Sequence, residues 1–323
     1  MVKLTRRALS VGFAAMLVTP ARSQRLSDRP LTIIVPFSAG SGPDVLARLV
    51  GEQLRERWGQ TVVIDNKPGA SGNIGAAAAA KAQPDGHSLL LYINTVLLNA
   101  ALARNLPFDP VKDFAPVGLI ARGSLALSVN RSVDVADAKA LVARSTERPD
   151  ELTYASPGRG TPHHFAMELF KLRTGAKLRH VPFSGTSGAV QAFLGGHVTA
   201  MFIPIHIALE HARDGTIRLL GVGSSKRAPL AASVPTLAEQ GIAGTEVDLW
   251  YGLSAPAGTP PELVQRFNNI INDMLSDAKV RTALDQQGLS PAGGTTKAFA
   301  DLIAEDLPRW KDVVQRAGLT ATE

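Results

Sequence analysis

Glycine, serine and threonine gather at four places where an apolar, strand-like run gives way to a helix-like one. These are Ser38–Gly42 (SAGSG), Asn66–Gly72 (NKPGASG), Pro157–Thr161 (PGRGT) and Ser184–Gly188 (SGTSG). At such a corner these residue types can hold an anion. The first backbone N–H groups of a helix lack internal partners and carry the positive end of its dipole. Small residues let an anion approach the backbone, and Ser or Thr hydroxyls add donors. A carboxylate or a phosphate matches this chemistry, and a cation does not. One corner of this kind is an ordinary turn with a helix cap. Four of similar composition are more than the turns alone require. Two of them also share Val-Pro-Phe-Ser and a closing Ser-Gly, starting at Val35 and Val181, 146 residues apart. Phe37 and Phe183 end their strands just before the loops and are expected as apolar lips of a cleft.

Catalytic patterns mostly fail. The chain has no Gly-x-Ser-x-Gly elbow, no Gly-x-x-x-x-Gly-Lys-Ser/Thr loop and no His-Glu-x-x-His pair, and it contains no cysteine. The Gly-Ser-Gly at Gly40–Gly42 lacks the third glycine of a dinucleotide fingerprint. No cofactor is therefore expected, and no metal. His163 and His164 are adjacent on a helix and point in different directions, so a shared metal is not expected; His164 is read as facing the third corner. Asp44 falls in a helical first turn, where a carboxylate is stabilising and can order the loop before it.

The elements that must position these corners alternate between short aliphatic runs and helical patterns, the signature of an α/β protein. The run Leu31–Phe37 reads as a buried strand. A helix follows, with Pro43 at its start and Val45, Leu46, Leu49, Leu54 and Trp58 at helical spacing. Thr61–Asp65 is a second strand, and "HSLLLYI" a third. Leu152–Ser156 and "LRHVPF" lead into the third and fourth corners, and the C-terminal part is helical. In open α/β sheets, ligands bind at the carboxyl ends of strands. Two pairs of corners on separate lobes would make a cleft.

The first 23 residues stand apart. Lys3, Arg6 and Arg7 form a basic head before an apolar run, Ala8–Val18, and a small-residue end at Ser23. That is the layout of a cleaved secretory signal peptide, with "TRRALS" also fitting a twin-arginine signal. The leader holds four of the 34 basic residues and none of the 28 acidic ones, so its removal takes the net charge from +6 to +2. No basic run remains that suggests a nucleic-acid surface.

The segments "IIVPFSAGSGPDVLARLVGEQL", "VVIDNKPGASGNIGAAAAAKAQPDGHSLLL", "LPFDPVKDFAPVGLI", "YASPGRGTPHHFAMELFK", "HVPFSGTSGAVQAFLGGHV" and "WYGLSAPAGTPPELVQRFN" resemble the solute receptors of the tripartite tricarboxylate transporter family, the Bug-type periplasmic binding proteins. The resemblance covers nearly the whole chain after the leader. It implies an α/β, two-lobed type II periplasmic-binding-protein fold, each lobe a mostly parallel sheet flanked by helices. The implied division is signal peptide 1–23, first lobe 24–123 plus 248–323, and second lobe 124–247, with crossings near Gly123–Ser124 and Glu246–Asp248. The implied role is periplasmic capture of a small organic acid and delivery to membrane transporter subunits, by a monomer without catalysis. An exported sensory co-receptor, or an exported hydrolase or lyase using His164 and Asp44, is the alternative.

The family's ligand loops fall here on Phe37, Ser38, Ala39, Gly40, Ser41 and Asp44; on Gly69, Ser71 and Asn73; on Ser156, Gly158, Arg159, Thr161 and His164; and on Phe183, Ser184, Gly185 and Thr186. Three departures from the family pattern bear on the ligand. Pro43 stands where a small polar residue is usual and can donate no hydrogen bond. Phe183-Ser184-Gly185 replaces a usual Tyr-Lys-Gly, and Thr199 an aspartate. Fewer polar groups imply a ligand less charged or more apolar than citrate. Arg159, the one cation in these loops, is expected to meet a second anionic group.

Overall fold

The computed structural model describes residues 26–103, 105–149 and 151–320, so the expected leader lies outside the described residues. In chain order the first elements are β1 (Leu31–Val35), α1 (Gly42–Trp58), β2 (Val62–Asn66), α2 (Asn73–Ala80), β3 (Ser88–Ile93), α3 (Thr95–Leu102) and β4 (Phe114–Gly123). The middle holds β5 (Leu125–Asn130), α4 (Ala138–Glu147), β6 (Thr153–Ser156), α5 (Pro162–Thr174), β7 (Arg179–Pro182), α6 (Thr186–Leu194), β8 (Ala200–Pro204), α7 (Ile205–Arg213) and β9 (Ile217–Val222). The chain closes with β10 (Leu249–Pro256), α8 (Pro261–Met274), α9 (Ala278–Gln286), β11 (Leu289–Pro291) and α10 (Thr296–Ala317).

The strands form a six-stranded sheet, β11-β4-β10-β3-β1-β2, and a five-stranded sheet, β7-β6-β8-β5-β9. The two share one plan. The order β2-β1-β3-β10-β4 in the first matches β7-β6-β8-β5-β9 in the second. Both sheets are mixed rather than mostly parallel. The trios β2-β1-β3 and β7-β6-β8 are parallel, while β10 and β5 run antiparallel to both of their neighbours. The reason lies in the crossings. β10 and β5 each arrive from the other sheet, and their pairing with β3 and β8 begins at the carboxyl ends of those strands: Tyr251 opposite Ile93, and Leu125 opposite Pro204. Such a strand can only run antiparallel there. Only Ser124 separates β4 in the six-stranded sheet from β5 in the five-stranded one.

The helix α1 shows how sequence writes an element. Pro43 lies in its first turn, Leu46, Val50, Leu54 and Trp58 recur every fourth residue and are buried, and Gly59 ends it at φ 66°. Val45, expected on the buried stripe, is instead 39% exposed, because the stripe is centred one residue later. Separate apolar clusters lie on the two faces of each sheet. One of them joins Leu98 and Leu102 of α3 and Trp310 of α10 to the core of the five-stranded sheet, where Trp310 meets Phe165 edge-on at 5.6 Å between ring centres. α3 leaves no periodic signal in the sequence, because "TVLLNAAL" is apolar nearly all round and carries no helical stripe.

Candidate functional site

The four corners follow β1, β2, β6 and β7, at the carboxyl ends of the parallel trios. Their backbone pairs them differently from their sequence. Gly40 and Gly160 have φ of +76° and +77°, and each directly precedes the N-cap of a helix, Ser41 or Thr161. Three residues past each cap a side chain reaches back to the same N–H. Gly40 N donates to Asp44 Oδ2 at 2.9 Å, and Gly160 N to His164 Nδ1 at 3.4 Å. Gly69 and Gly185 likewise share an extended positive-φ geometry, at +124° and +129°. The first corner therefore corresponds to the third, and the second to the fourth. The repeated Pro-Phe-Ser falls on the first and the fourth, which are not equivalent positions.

Asp44 is a loop organiser. It is 2% exposed and accepts from Gly40 N, Arg48 Nε (2.9 Å) and Asn66 Nδ2 (3.0 Å), and Asn66 also donates to the Phe37 carbonyl. Burial opposes its charge, but the hydrogen bonds from Arg48, Gly40 and Asn66 outweigh that and hold the carboxyl below its usual range.

The third corner rests on a similar platform. Ser156, wholly buried, bonds Gly158 through its hydroxyl and meets His180 Nε2 at 2.7 Å. His180 stacks on Tyr154 and lies 4.5 Å from His164, centre to centre. Tyr154 donates to Glu168, which pairs with Lys171. Burial first, and then the charges of Arg159 and Lys171, push His164 down to about 3. His180 also falls to about 3, again mainly through burial. Both imidazoles are neutral at ordinary pH. His180 Nδ1 has no partner, so the Ser156–His180 pair lacks the oriented acid and the access of a nucleophilic triad.

Corners from the two sheets meet. A Cβ on Gly158 would lie 2.8 Å from Ser71 Oγ and 3.5 Å from the Phe183 carbonyl oxygen. Asn99, on α3 and 6% exposed, donates to the Ser71 carbonyl at 2.8 Å, and a Cβ on Gly160 would sit 1.9 Å from its Oδ1. One buried amide thus ties the second corner to the third.

Between the corners and the crossings lies a cavity of about 920 Å³. Of the expected residues, Phe37, Ser38, Ala39, Gly40, Ser41, Gly69, Ser71, Thr161, Phe183, Ser184, Gly185 and Thr186 line it. Asp44, Asn73, Ser156, Gly158, Arg159 and His164 do not. Arg159 is half-buried, and its charge acts on Tyr154, His164 and His180. The wall also holds residues that sequence reading missed: His163, Asn94, Thr95, Gln191, His206, Ile207, Tyr251 and Leu289. His163 is 8% exposed with neither ring nitrogen hydrogen-bonded, and burial pushes it down to about 3. Ser41 Oγ is also buried without a partner: it does not cap α1. The signal for His163 was present in its adjacency to His164. Which of two neighbouring helical residues faces a cleft depends on how the helix is rotated, and sequence does not carry that.

Comparison with known proteins agrees with this geometry. The model of the tripartite tricarboxylate transporter family receptor matches residues 46–319. The protein BugT of Bordetella pertussis is 34% identical, over 98% of this chain and 99% of its own length. Among solved structures, R. palustris Rpa4515 with adipate is 34% identical with a TM-score of 0.86, covering 91% of this chain and 98% of the other. MatC of Rhodopseudomonas palustris, with bound malate, is 32% identical with a TM-score of 0.83, covering 89% and 99%. With its two-sheet plan, its paired corners and a receptor-family match over most of its length, the chain belongs to the tripartite tricarboxylate transporter receptor family.

Proposed function

We propose that this protein is an exported, periplasmic receptor that captures a small carboxylate-bearing organic anion between two lobes and delivers it to a tripartite tricarboxylate-type membrane transporter. The observation that carries the reading is the convergence of four glycine- and hydroxyl-rich helix starts, drawn from both sheets, on one cavity of about 920 Å³. Backbone N–H groups and the Ser38, Ser41, Ser184 and Thr186 hydroxyls would take the carboxylate. The lobes, 24–123 with 248–323 and 124–247, would close by rotation at Gly123–Ser124 and Glu246–Asp248. The adipate and malate held by the solved relatives support an acid as the ligand class.

Calorimetry with an organic acid and its neutral amide tests this. The amide should bind more weakly by about 1.5–3 kcal/mol per charge-assisted hydrogen bond lost. Equal affinity for acid and amide would refute the anion site.

A further inference from the structure

Asn94 stands at the carboxyl end of β3, directly before α3, and lines the cavity. An asparagine at such an N-cap usually turns its side-chain oxygen onto the first N–H groups of the helix. Here no side-chain bond caps α3. The amide is spent on the second crossing instead, where Nδ2 donates to the Asp248 carbonyl at 2.8 Å. The backbone N–H of Asn94 donates to the Trp250 carbonyl at 3.4 Å, so main chain and side chain both hold the residue in place. A carbonyl oxygen can only accept, so the NH2 end must face Asp248, and the orientation of the amide is fixed. Oδ1 is the end left over. It has no protein partner among the described residues, and it is not sealed off as the ring nitrogens of His163 are. The residue is only 2% exposed, and the cavity is the space that it borders.

The cleft thus sets one fixed acceptor among groups of other kinds. The corners offer backbone N–H donors, and the Ser38, Ser41, Ser184 and Thr186 hydroxyls can turn to donate or accept. The amides of Gln191 and Gln287 also line the wall, with no bond among the described residues that fixes either end. A carboxylate oxygen placed against Asn94 Oδ1 would set acceptor against acceptor. An ammonium would lie among helix starts of positive dipole, and no described aspartate or glutamate lines the cavity. An uncharged hydroxyl suits both conditions. A ligand that covers Oδ1 displaces water from it, and one that cannot replace the lost hydrogen bond binds less well. We infer that Asn94 reads a hydroxyl on the ligand, so that the cleft prefers a hydroxy acid to the acid of the same skeleton without the hydroxyl. The inference rests on the anion site proposed above.

Pairs of acids that differ by one hydroxyl test it on the intact protein by calorimetry: lactate and propionate, malate and succinate, citrate and tricarballylate. In at least one pair the hydroxy acid should bind about fivefold tighter or more, the size of one net hydrogen bond. Asn94→Leu should bring that pair to within about twofold. The leucine also strips the Asp248 carbonyl of its donor, which weakens both members of a pair alike. The ratio within the pair is therefore the reading, taken on protein that a thermal melt shows to be folded. Wild-type protein with no hydroxyl preference beyond about twofold in any pair overturns the inference and leaves the anion site standing, with no variant needed. A preference that persists in folded Asn94→Leu overturns the role of Asn94. If neither these acids nor a wider panel of carboxylates gives heat or a thermal shift with folded protein, the anion site itself fails, and the inference with it.

Discussion

Replacing Gly160 by alanine tests the join between the two sheets. The position holds φ at +77°, and a Cβ there would lie 1.9 Å from Asn99 Oδ1, more than an ångström inside any tolerable contact. Three costs add up. The left-handed backbone strains alanine by about 1–2 kcal/mol. Overpacking against a buried amide adds about 1–3 kcal/mol. Asn99 can yield only by giving up its 2.8 Å bond to the Ser71 carbonyl, which costs about 0.5–1.5 kcal/mol. The sum is about 2.5–6.5 kcal/mol of lost stability. Asn99→Ala removes the colliding amide, so Gly160→Ala in that background should cost only the backbone share, about 1–2 kcal/mol. A double-mutant cycle by urea denaturation, with calorimetry of an acid ligand on the folded fraction, measures both quantities. Equal costs for Gly160→Ala in the two backgrounds would refute the clamp, since the two residues would then act independently.

Ser38→Trp or Ser184→Trp should abolish the ligand-induced rise in melting temperature while the ligand-free melting temperature moves little, because both residues are exposed on loops. Scanning fluorimetry checks this; an early melt with the full ligand shift would contradict it. Acid should destabilise the fold through its buried histidines. The unfolded chain protonates each near its ordinary 6.5, whereas His163, His164 and His180 in the fold wait until about 3. Stability is therefore lost as pH falls from 6.5 toward 3, at up to about 1.4 kcal/mol per pH unit for each histidine. His163→Phe should flatten the urea-denaturation profile between pH 6 and 5 by up to that amount, and an unchanged slope would count against a neutral His163. Protein recovered from the periplasm should begin at or near Gln24, and N-terminal sequencing that finds Met1 would remove the export signal from the reading.

Much of this protein was legible in its sequence. The strand-to-helix corners were readable because glycine, serine and proline act locally: Pro43 starts a helix, Gly59 ends one, and Ser, Thr and Gly leave backbone donors open. The family motifs gave the order of the elements, and a two-lobed α/β plan followed. What the tertiary structure decided was how these local pieces face one another. The shared Val-Pro-Phe-Ser suggested that the first corner matches the fourth, but strand order and backbone dihedrals pair the first with the third. Equivalence in a fold is set by position in the sheet, and short identical strings do not encode it. The sheets are mixed because β5 and β10 enter from the opposite sheet, a long-range event with no local signature. Asn99 was invisible because α3 is buried nearly all round and shows no stripe. His163 and His164 differ only by the helical step between neighbours, about 100° of rotation. Packing against Trp310 and the cores on either side fixes that rotation: one imidazole joins the cleft wall, and the other braces the loop behind it.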